Sequence, residues 1–437
     1  ALKHRTDSAL GSGPGGSKLR WLLRRMKAGA KAVVTPVMLF EELGLTYLGP
    51  VDGHDVLAVE RTLERARSLR RPAVVHVLTT KGKGYAPAEA DPVAFHGLLP
   101  RSGEGEQGKT YSDVFAETMR DMLDADPSVV VVTAAMLEGT GLRELKQEYP
   151  KRVLDVGISE QHAVTLAAGM AAGGMRPVVA IYSTFLQRAF DQIVHDVCLP
   201  NLPVIFAVDR AGIVGEDGKT HQGIFDIGYF GVMPNMTLFA PRDGTMLRHI
   251  LHSAASLDGP IAIRYPRATA SLGHTLLTDI TTPEVLREGQ DVTLIAVGSM
   301  VGPALEAASL AQEWDIAVGV IDPKVAAPVN VESIVSLSDG AGRFLTVEEH
   351  VLSNGFGMGF SAGLVSSGVK GAQVHALALP AQFVPHGSRP SLLSGYGLDA
   401  QGIAEACWAM VWGKADSGAV AVGSSAVHRR GSGGDDG

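Results

Sequence analysis

The chain has 437 residues, of which 46% are hydrophobic and 19% charged, and its formal net charge is −8. This composition excludes a disordered chain, and the acidic balance argues against nucleic acid as the main partner, because a phosphate backbone is bound mainly through Lys and Arg. The two cysteines, Cys198 and Cys407, lie far apart without metal spacing, which argues against a disulfide framework or a zinc cluster and favours a reducing compartment, and the sequence has no run of about 18 apolar residues that would predict a membrane span.

The first hundred residues combine a polar leader with a short α/β pattern. Residues 8–17 are rich in Gly, Ser and Pro, and five basic residues follow between 18 and 27. A solvated basic helix is the simpler interpretation of this stretch, and a transit peptide is the alternative. The amphipathic helix predicted over 57–69 and the buried strand predicted over 73–81 indicate the rhythm of a parallel sheet.

A second series of helices and apolar strands extends from 105 to 270. The predicted strands are 129–135, 153–157, 177–183, 203–209 and 261–266, and the predicted helices are 111–124, 141–148, 160–173 and 185–196. Apolar runs of this kind are typical of parallel strands that helices cover on both faces. They predict one doubly wound α/β domain.

A third series over 285–412 repeats the pattern. Its predicted strands are 291–299, 316–322 and 343–350, and its predicted helices include 301–313 and 399–412. We expect a second α/β domain with a mainly parallel sheet. Residues 413–437 are rich in Gly and Ser without a core pattern, and we predict that this tail is disordered.

Polar residues collect where the strands of the second series end, which is where open α/β sheets bind ligands. Glu160 stands where a strand gives way to a helix, although a carboxylate there also serves simply to complement the helix dipole. Tyr182, Phe185 and Arg188 occupy the next strand-to-helix turn. The two rings are equally compatible with a core position, whereas an anion explains Arg188 better.

Two further strand ends add cations and a histidine. A Gly-rich loop carries Arg210, Asp217 and His221, and the last strand ends with Arg264 and Arg267. Loops that hold such residues on a rigid scaffold are often functional, but a solvated turn for the loop and a surface position for the Arg pair are the simpler interpretations. Together the strand ends predict a site for a small, phosphorylated anion with proton transfers.

Four motifs in this region, SEQHAVT, YSTFLQRAFDQ, DRAGIVGEDGKTHQG and RYPR, resemble the 1-deoxy-D-xylulose-5-phosphate synthases in order and spacing. LGPVDGHD, TTKGKGYAPAEADPVAFHG and TVEEH extend the resemblance from about residue 36 to 412. The resemblance implies an α/β chain of consecutive doubly wound, mainly parallel-sheet domains of transketolase type. Its parts would be a C-terminal remnant of a diphosphate-binding domain over 1–104, a pyrimidine-binding domain over 105–270 and a transketolase C-terminal domain over 285–412.

The resemblance also implies an activity. The family condenses pyruvate with glyceraldehyde 3-phosphate and releases CO₂, using thiamine diphosphate and Mg²⁺, as the first step of non-mevalonate isoprenoid synthesis and as precursor supply for thiamine and pyridoxal. Glu160 would hydrogen-bond the aminopyrimidine ring and Phe185 would stack on it. By resemblance the catalytic residues are Glu160, His221 and His96, the cofactor-binding residues are Tyr85, Glu160 and Phe185, and the substrate-binding residues are Tyr182, Arg188, Arg210, Asp217 and Arg267.

Several family features are missing from this sequence. The family holds Mg²⁺ through a GDG motif and an Asn-containing segment 25 to 30 residues later, and neither is present here. We therefore expect a truncated form whose metal ligands belong to the missing N-terminal domain, with none on this chain. Leu137 stands where the family usually has Arg, His350 stands where it usually has Asn, and IDPKVAAP lacks the usual Arg and Lys.

Three interpretations stay open. The first is the synthase or a piece of it, which the THQG and FLQRAFDQ stretches favour. The second is a β-type subunit of a split transketolase or a 2-oxo acid dehydrogenase, which borrows the diphosphate domain from a partner chain. The third is a non-catalytic remnant. We expect a homodimer without nucleic acid or membrane partners, located in the cytoplasm, or in the plastid if the source is a plant or alga.

Overall fold

A computed structural model describes residues 38–93, 95, 108–271, 279–338 and 342–413. The chain divides into two compact units, 1–105 and 106–437. The predictions of a basic N-terminal stretch and of a disordered tail over 413–437 lie outside the described residues, apart from Gly413. Within the described ranges, no helix has both the length and the apolar character needed to cross a membrane.

The first unit contains a two-stranded parallel sheet with short helices. Its elements are α1 (Met38–Glu42), β1 (Thr46–Asp52), α2 (Val56–Ser68), β2 (Ala73–Leu78) and α3 (Ala86–Ala90). Asp55 begins α2 by accepting a hydrogen bond from the backbone N–H of Ala58 at 3.0 Å, which satisfies one of the free donors of a helix N-terminus. Leu48 and Ala88 are the buried apolar residues among those described in this unit.

The second unit contains a seven-stranded sheet. Its strands are β3 (Val129–Thr133), β4 (Val153–Asp155), β5 (Arg176–Tyr182), β6 (Ile205–Asp209), β7 (Thr237–Phe239), β8 (Ile261–Arg264) and β12 (Val325–Ala327). They lie in the order β12-β7-β8-β6-β5-β3-β4. All neighbours pair in parallel except β12, which is antiparallel to β7. Every residue of β3, β6 and β8 is buried, as expected for parallel strands covered on both faces.

Helices cover both faces of this sheet. They are α4 (Tyr111–Ala125), α5 (Arg143–Glu148), α6 (Glu160–Ala172), α7 (Ser183–Leu186), α8 (Phe190–Gln192), α9 (Asp226–Gly231) and α10 (Gly244–Ala254). Phe115 of α4 and Leu247 of α10 are buried in the core on one face. The core on the other face includes Ala167 of α6 and continues to Phe356 and Phe360, which belong to the last third of the chain.

The second sheet of this unit has five strands in the order β14-β13-β10-β11-β9. Its strands are β9 (Glu284–Arg287), β10 (Val292–Ala296), β11 (Val318–Asp322), β13 (Arg343–Val351) and β14 (Gln373–Leu379), and its helices are α11 (Val301–Gln312), α12 (Val331–Ser336), α13 (Phe356–Ser366), α14 (Arg389–Gly395) and α15 (Ala400–Trp412). Only β9 pairs antiparallel, to β11, among the pairs described in this sheet. The predicted α/β class with doubly wound, mainly parallel sheets is confirmed.

The helix predicted over 185–196 is present, but it is not a regular α-helix. After α7 the chain forms a 3₁₀ turn over Gln187–Ala189, continues in α8, and ends in a π-helical stretch over Ile193–Cys198. Leu186, Ala189, Ile193 and Val197 are fully buried along this segment. Apolar spacing alone does not distinguish such a broken segment from a regular helix, and π-helical turns are frequent at functional sites.

Candidate active site

The predicted site residues of the second unit lie at the carboxyl edge of the seven-stranded sheet. Tyr182 is the last residue of β5, Arg210 directly follows β6, and Arg267 comes three residues after β8. Because β5, β6 and β8 are parallel neighbours, their carboxyl ends meet at one edge. Glu160 begins α6 after β4, at the same edge.

Glu160 is a buried carboxylate with a cation beside it. The residue is 2% exposed. Nη1 of Arg188 lies 3.4 Å from each of its two carboxylate oxygens, while 52% of the Arg188 side chain is exposed. At this distance the pair is a long, weak contact, so the carboxylate keeps capacity to accept a stronger donor.

Three rings form the wall next to this carboxylate. Phe185 stacks on Tyr182 with ring centroids 6.0 Å apart and meets the His221 ring edge-on at 5.3 Å. The guanidinium of Arg188 lies 5.7 Å from the Phe185 centroid. Nδ1 of His221 lies 2.9 Å from the hydroxyl of Thr220, a contact that orients the imidazole. The wall therefore presents a flat apolar face beside an acid and an imidazole.

Asp217 joins two arginines on the other side of Tyr182. One carboxylate oxygen accepts a hydrogen bond from Nη1 of Arg267 at 2.8 Å, and the other is paired with Nη1 of Arg210. The Arg210 guanidinium also lies 4.1 Å from the centroid of the Tyr182 ring. Two guanidinium groups that share one carboxylate leave a net positive charge, which suits an anionic ligand.

The hydroxyl of Tyr182 stays protonated at neutral pH. Burial raises the pKa of Tyr182 to about 12, and the nearby Arg210 charge only partly offsets this effect. Tyr182 therefore offers a neutral hydroxyl that can donate a hydrogen bond to an anion.

Two of the predicted residues do not belong to the described part of the second unit. Tyr85 belongs to the first unit, where it precedes α3, is 57% exposed, and contacts the Phe95 ring edge-on at 5.6 Å. His96 lies outside the described residues. The surface position expected for Arg264 is wrong, because this side chain is 4% exposed and its Nε donates to Asp226 at 3.0 Å.

Sequence reasoning missed two residues that shape the site. Gly139, in the segment after β3, approaches Tyr182 so closely that a Cβ would overlap the tyrosine hydroxyl. Glu349, at the end of β13, is 1% exposed and accepts a hydrogen bond from the backbone N–H of Ile213. The glycine in LEGTG and the paired acids in TVEEH were visible signals, but their partners are distant in sequence.

The donor set fits one end of thiamine diphosphate. A buried carboxylate beside an aromatic face matches an aminopyrimidine ring, which offers a nitrogen and a flat π-surface. Across the ranges that the structure describes, no group of three or more His, Cys, Asp or Glu side chains is arranged to hold a metal ion. The described residues therefore fit the pyrimidine end.

Three family models match the chain in consecutive segments. They are 1-deoxy-D-xylulose-5-phosphate synthase over residues 1–79, the transketolase pyrimidine-binding domain over 107–271 and the transketolase C-terminal domain over 282–403. Among curated relatives, the 1-deoxy-D-xylulose-5-phosphate synthase of Pelotomaculum thermopropionicum is 50% identical over 404 residues, which cover 90% of this chain and 63% of the relative. Synthase 1 of Geobacter sulfurreducens is 46% identical over 411 residues, 91% of this chain and 64% of the relative. The chain thus spans slightly less than two thirds of the length of these relatives.

Two solved structures are similar to the chain. A split-gene transketolase, described as an inactive β4 tetramer, has 29% identity and a TM-score of 0.63, and the match covers 70% of this chain and 99% of that one. A Pichia stipitis transketolase in complex with sedoheptulose 7-phosphate has 16% identity and a TM-score of 0.60, with 87% and 69% covered. The second likeness supports the fold alone.

Proposed function

Because the chain belongs to the 1-deoxy-D-xylulose-5-phosphate synthase family, with transketolase pyrimidine-binding and C-terminal domains, we propose that it forms the pyrimidine- and acceptor-binding part of such a synthase. The reaction would condense pyruvate with glyceraldehyde 3-phosphate and release CO₂. The observation that carries this proposal is the buried Glu160 carboxylate. Consecutive contacts connect it, through Arg188, to the aromatic wall and from there to the cation cluster around Asp217.

Glu160 would hold the proton of the cofactor's pyrimidine ring. Thiamine diphosphate supplies, when bound, the electron sink for decarboxylation and carbon–carbon bond formation. A carboxylate of low exposure makes a strong hydrogen bond to a ring nitrogen because little water competes for it. Phe185 would cover one face of the ring, and Arg188 would leave Glu160 as the ring arrives.

The acceptor phosphate would bind at the cluster around Asp217. Arg210 and Arg267 can each grip a phosphate with two N–H donors, and the neutral Tyr182 hydroxyl adds a third group. Asp217 would keep the two guanidinium groups in the positions that phosphate binding requires. Arg188 would add a further cation to the phosphate site once it has left Glu160.

His221 would move a proton at the reacting oxygen of the substrate. Its contacts with Phe185 and Thr220 fix the ring next to the expected pyrimidine position. The roles of Tyr85 and His96, the Mg²⁺ requirement, the homodimer and the cytoplasmic location stay predictions.

A split arrangement is the second candidate. The similar split-gene transketolase chain is an inactive tetramer in its own structure. That likeness supports a chain whose partner supplies the diphosphate-binding domain, either within a synthase or within a transketolase.

The test is reconstitution. The 437-residue chain is assayed for 1-deoxy-D-xylulose 5-phosphate with thiamine diphosphate and Mg²⁺, alone and with the separately expressed diphosphate-binding domain of the Pelotomaculum relative. We expect product only in the mixture. Ketol transfer from sugar phosphates without use of pyruvate would favour the transketolase alternative, and no turnover of either kind would contradict the proposal.

A further inference from the structure

A cluster of buried charges connects the C-terminal domain to the loop that carries Asp217 and His221. We propose that Glu349 and Arg389 are positioning residues for the 210–222 loop, and that they set its grip on the acceptor phosphate. The identity of the ligand rests on the proposed function, whereas the positioning rests on contacts within the described residues.

The 210–222 loop is closed at its base by a short bridge. Gly212 and Gly223 exchange backbone hydrogen bonds, with N···O distances of 2.6 and 2.8 Å. The ten residues between them, 213–222, therefore form an excursion that leaves the sheet edge and returns to it. Asp217 and His221 lie within this excursion, so their positions depend on what holds it.

Glu349 holds the outgoing end of the excursion. Its Oε2 accepts the backbone N–H of Ile213 at 2.9 Å, and its Oε1 accepts the hydroxyl of Ser299 at 2.8 Å. Arg264 donates to the Glu349 carbonyl at 3.3 Å, which ties this segment to the end of β8. A buried carboxylate with several donors is geometrically constrained, so the Ile213 amide is fixed.

Arg389 completes this attachment from α14. Its Nη2 pairs with Oε1 of Glu349, and its Nε donates to the carbonyl of Ile213 at 3.1 Å. Both backbone polar groups of Ile213 are thus bonded to side chains of the C-terminal domain. These two groups belong to the peptide units on either side of the Ile213 Cα, so a carboxylate holds one unit, a guanidinium holds the other, and the backbone at Ile213 has little freedom to rotate.

The returning end of the excursion is attached to the same domain. Nε2 of Gln222 donates to the carbonyl of Pro385 at 3.2 Å, and Oε1 of Gln222 accepts the N–H of Val214 at 2.8 Å. The C-terminal domain therefore contacts both ends of the excursion. The segment between these ends carries the residues predicted to meet the substrate.

Two glycines allow this close approach. Gly212 has φ +77°, and a Cβ there would lie 2.6 Å from Oε2 of Glu349. Gly215 has φ +72°, and a Cβ there would lie 2.8 Å from the backbone N of Arg389. The loop backbone thus packs directly against the two positioning residues.

Loss of either attachment would let the excursion move without removing a group that touches the ligand. Binding by Asp217, Arg210 and Arg267 depends on their mutual geometry, and displacements near 1 Å cost much of such an interaction. The consequence falls on Asp217 and His221, which the loop carries, whereas Glu160 and Phe185 belong to other segments.

The first measurement is hydrogen exchange of the 437-residue chain by mass spectrometry, on peptides that cover 210–224. Glu349→Gln keeps the size of the side chain and removes the charge that pairs with Arg389. Arg389→Ala removes the guanidinium that holds the Ile213 carbonyl, at a side chain that is one-fifth exposed. We expect about tenfold faster exchange in the loop for both variants, equivalent to about 1.4 kcal/mol. The matched control is Arg242→Lys, which alters another ion-pair cluster between the same two domains, with Glu284 and Asp322 each 2.8 Å from Nη1.

Unchanged loop exchange in a folded Glu349→Gln or Arg389→Ala variant overturns the inference, as does equal acceleration in Arg242→Lys. If Glu349→Gln does not fold, Arg389→Ala decides. This readout needs neither cofactor nor turnover.

The second measurement is calorimetric binding of inorganic phosphate and of glyceraldehyde 3-phosphate. We expect both positioning variants to bind each ligand at least about fivefold more weakly than the wild type, while Arg242→Lys binds normally. Absence of binding by the wild type would contradict the proposed function. The hydrogen-exchange measurement would then decide whether Glu349 and Arg389 position the loop. Normal binding by variants with a loosened loop would overturn the link between positioning and phosphate.

Discussion

Nη1 of Arg188 lies 3.4 Å from both carboxylate oxygens of Glu160. This contact joins the acid predicted to hold the cofactor to a cation predicted to hold the substrate phosphate. Arg188 is half exposed, so its part in the pair is screened by solvent and exchange of partners costs little. Arrival of the pyrimidine ring and release of Arg188 toward the acceptor would therefore be coupled events.

Replacement of Glu160 tests whether this acid serves the cofactor's pyrimidine ring. Glu160→Gln keeps the size of the side chain and removes the basic oxygen that would share the ring proton. We expect product formation in the reconstituted enzyme to fall by about 10² to 10⁴, the usual worth of a general acid–base step. Glu144→Gln, at a side chain that is 81% exposed, is the control. Near-normal turnover of Glu160→Gln, with the control also active, would show that the assigned role is wrong.

Replacement of the cations tests the phosphate site. Arg188→Ala and Arg267→Ala should raise the KM for glyceraldehyde 3-phosphate far more than they affect pyruvate decarboxylation, because only the acceptor carries a phosphate for a bidentate guanidinium. The two half-reactions are measured as CO₂ release with and without acceptor. Arg248→Ala, at a surface arginine that pairs with Glu117, should change neither. Equal losses in both half-reactions would contradict this division of labour.

Apolar patterning predicted the sheets because buried parallel strands are almost uniformly apolar. β3, β6 and β10 lie within the predicted strands, with every residue buried. The same patterning could not predict that β12, from the third series, pairs with β7 of the seven-stranded sheet. A three-residue strand has too little pattern to indicate its partner.

Strand-end positions indicated which polar residues to consider, and the contacts between Tyr182, Phe185, Arg210 and Asp217 follow from the parallel order of β5 and β6. The contribution of Glu349 could not be predicted in this way. It depends on a packing contact between residues 136 positions apart, and nothing in the local sequence specifies which loop an acid of the other domain will meet.

The approach of Gly139 to Tyr182 predicts a sharp effect of one methyl group. In Gly139→Ala the new Cβ would overlap the tyrosine hydroxyl, so the ring or the loop must shift. Overpacking of this kind costs about 1–3 kcal/mol, and we expect weaker phosphate binding together with a lower free energy of unfolding. Gly169→Ala is the matched control, because it adds the same methyl in open space within α6 and should stabilise the helix by about 0.5–1 kcal/mol. Identical behaviour of the two variants would contradict the structure at this point.

His350 predicts a pH dependence of stability. Its Nε2 accepts the N–H of Gly228 at 3.0 Å and its Nδ1 donates to the carbonyl of Val351 at 2.6 Å, so the native imidazole is neutral. Burial lowers the pKa of His350 below its usual 6.5, and Asp226 offsets this only in part. The unfolded chain therefore binds the proton first, and the stabilisation is fully present above pH 6.5 and is lost as the pH falls below it.

The measurement is the free energy of unfolding between pH 8 and pH 5 for the wild type and for His350→Asn. We expect the wild type to lose stability more steeply below pH 6.5. Burial raises the pKa of the neighbouring Glu348 to about 7, and this group opposes the trend, because its protonated form favours the folded state as the pH falls. Glu348 is present in both proteins, so the comparison between them isolates His350. Parallel curves would contradict the assignment of a buried neutral imidazole.

The 437-residue chain itself should bind thiamine diphosphate poorly. The diphosphate is the most charged part of the cofactor, and its Mg²⁺ needs hard oxygen ligands at fixed geometry; the sequence has no GDG motif to supply them. Phe185 and Glu160 would contribute one aromatic stack and one strong hydrogen bond, together worth about 2–4 kcal/mol, which the roughly 4–15 kcal/mol lost in association would cancel. Calorimetric titration with cofactor and Mg²⁺ should therefore give no saturation below about 1 mM for the chain alone, and saturation at micromolar cofactor once the diphosphate-binding domain of the Pelotomaculum relative is added. Micromolar binding by the chain alone, abolished by Glu160→Gln, would show that another segment of these 437 residues holds the diphosphate.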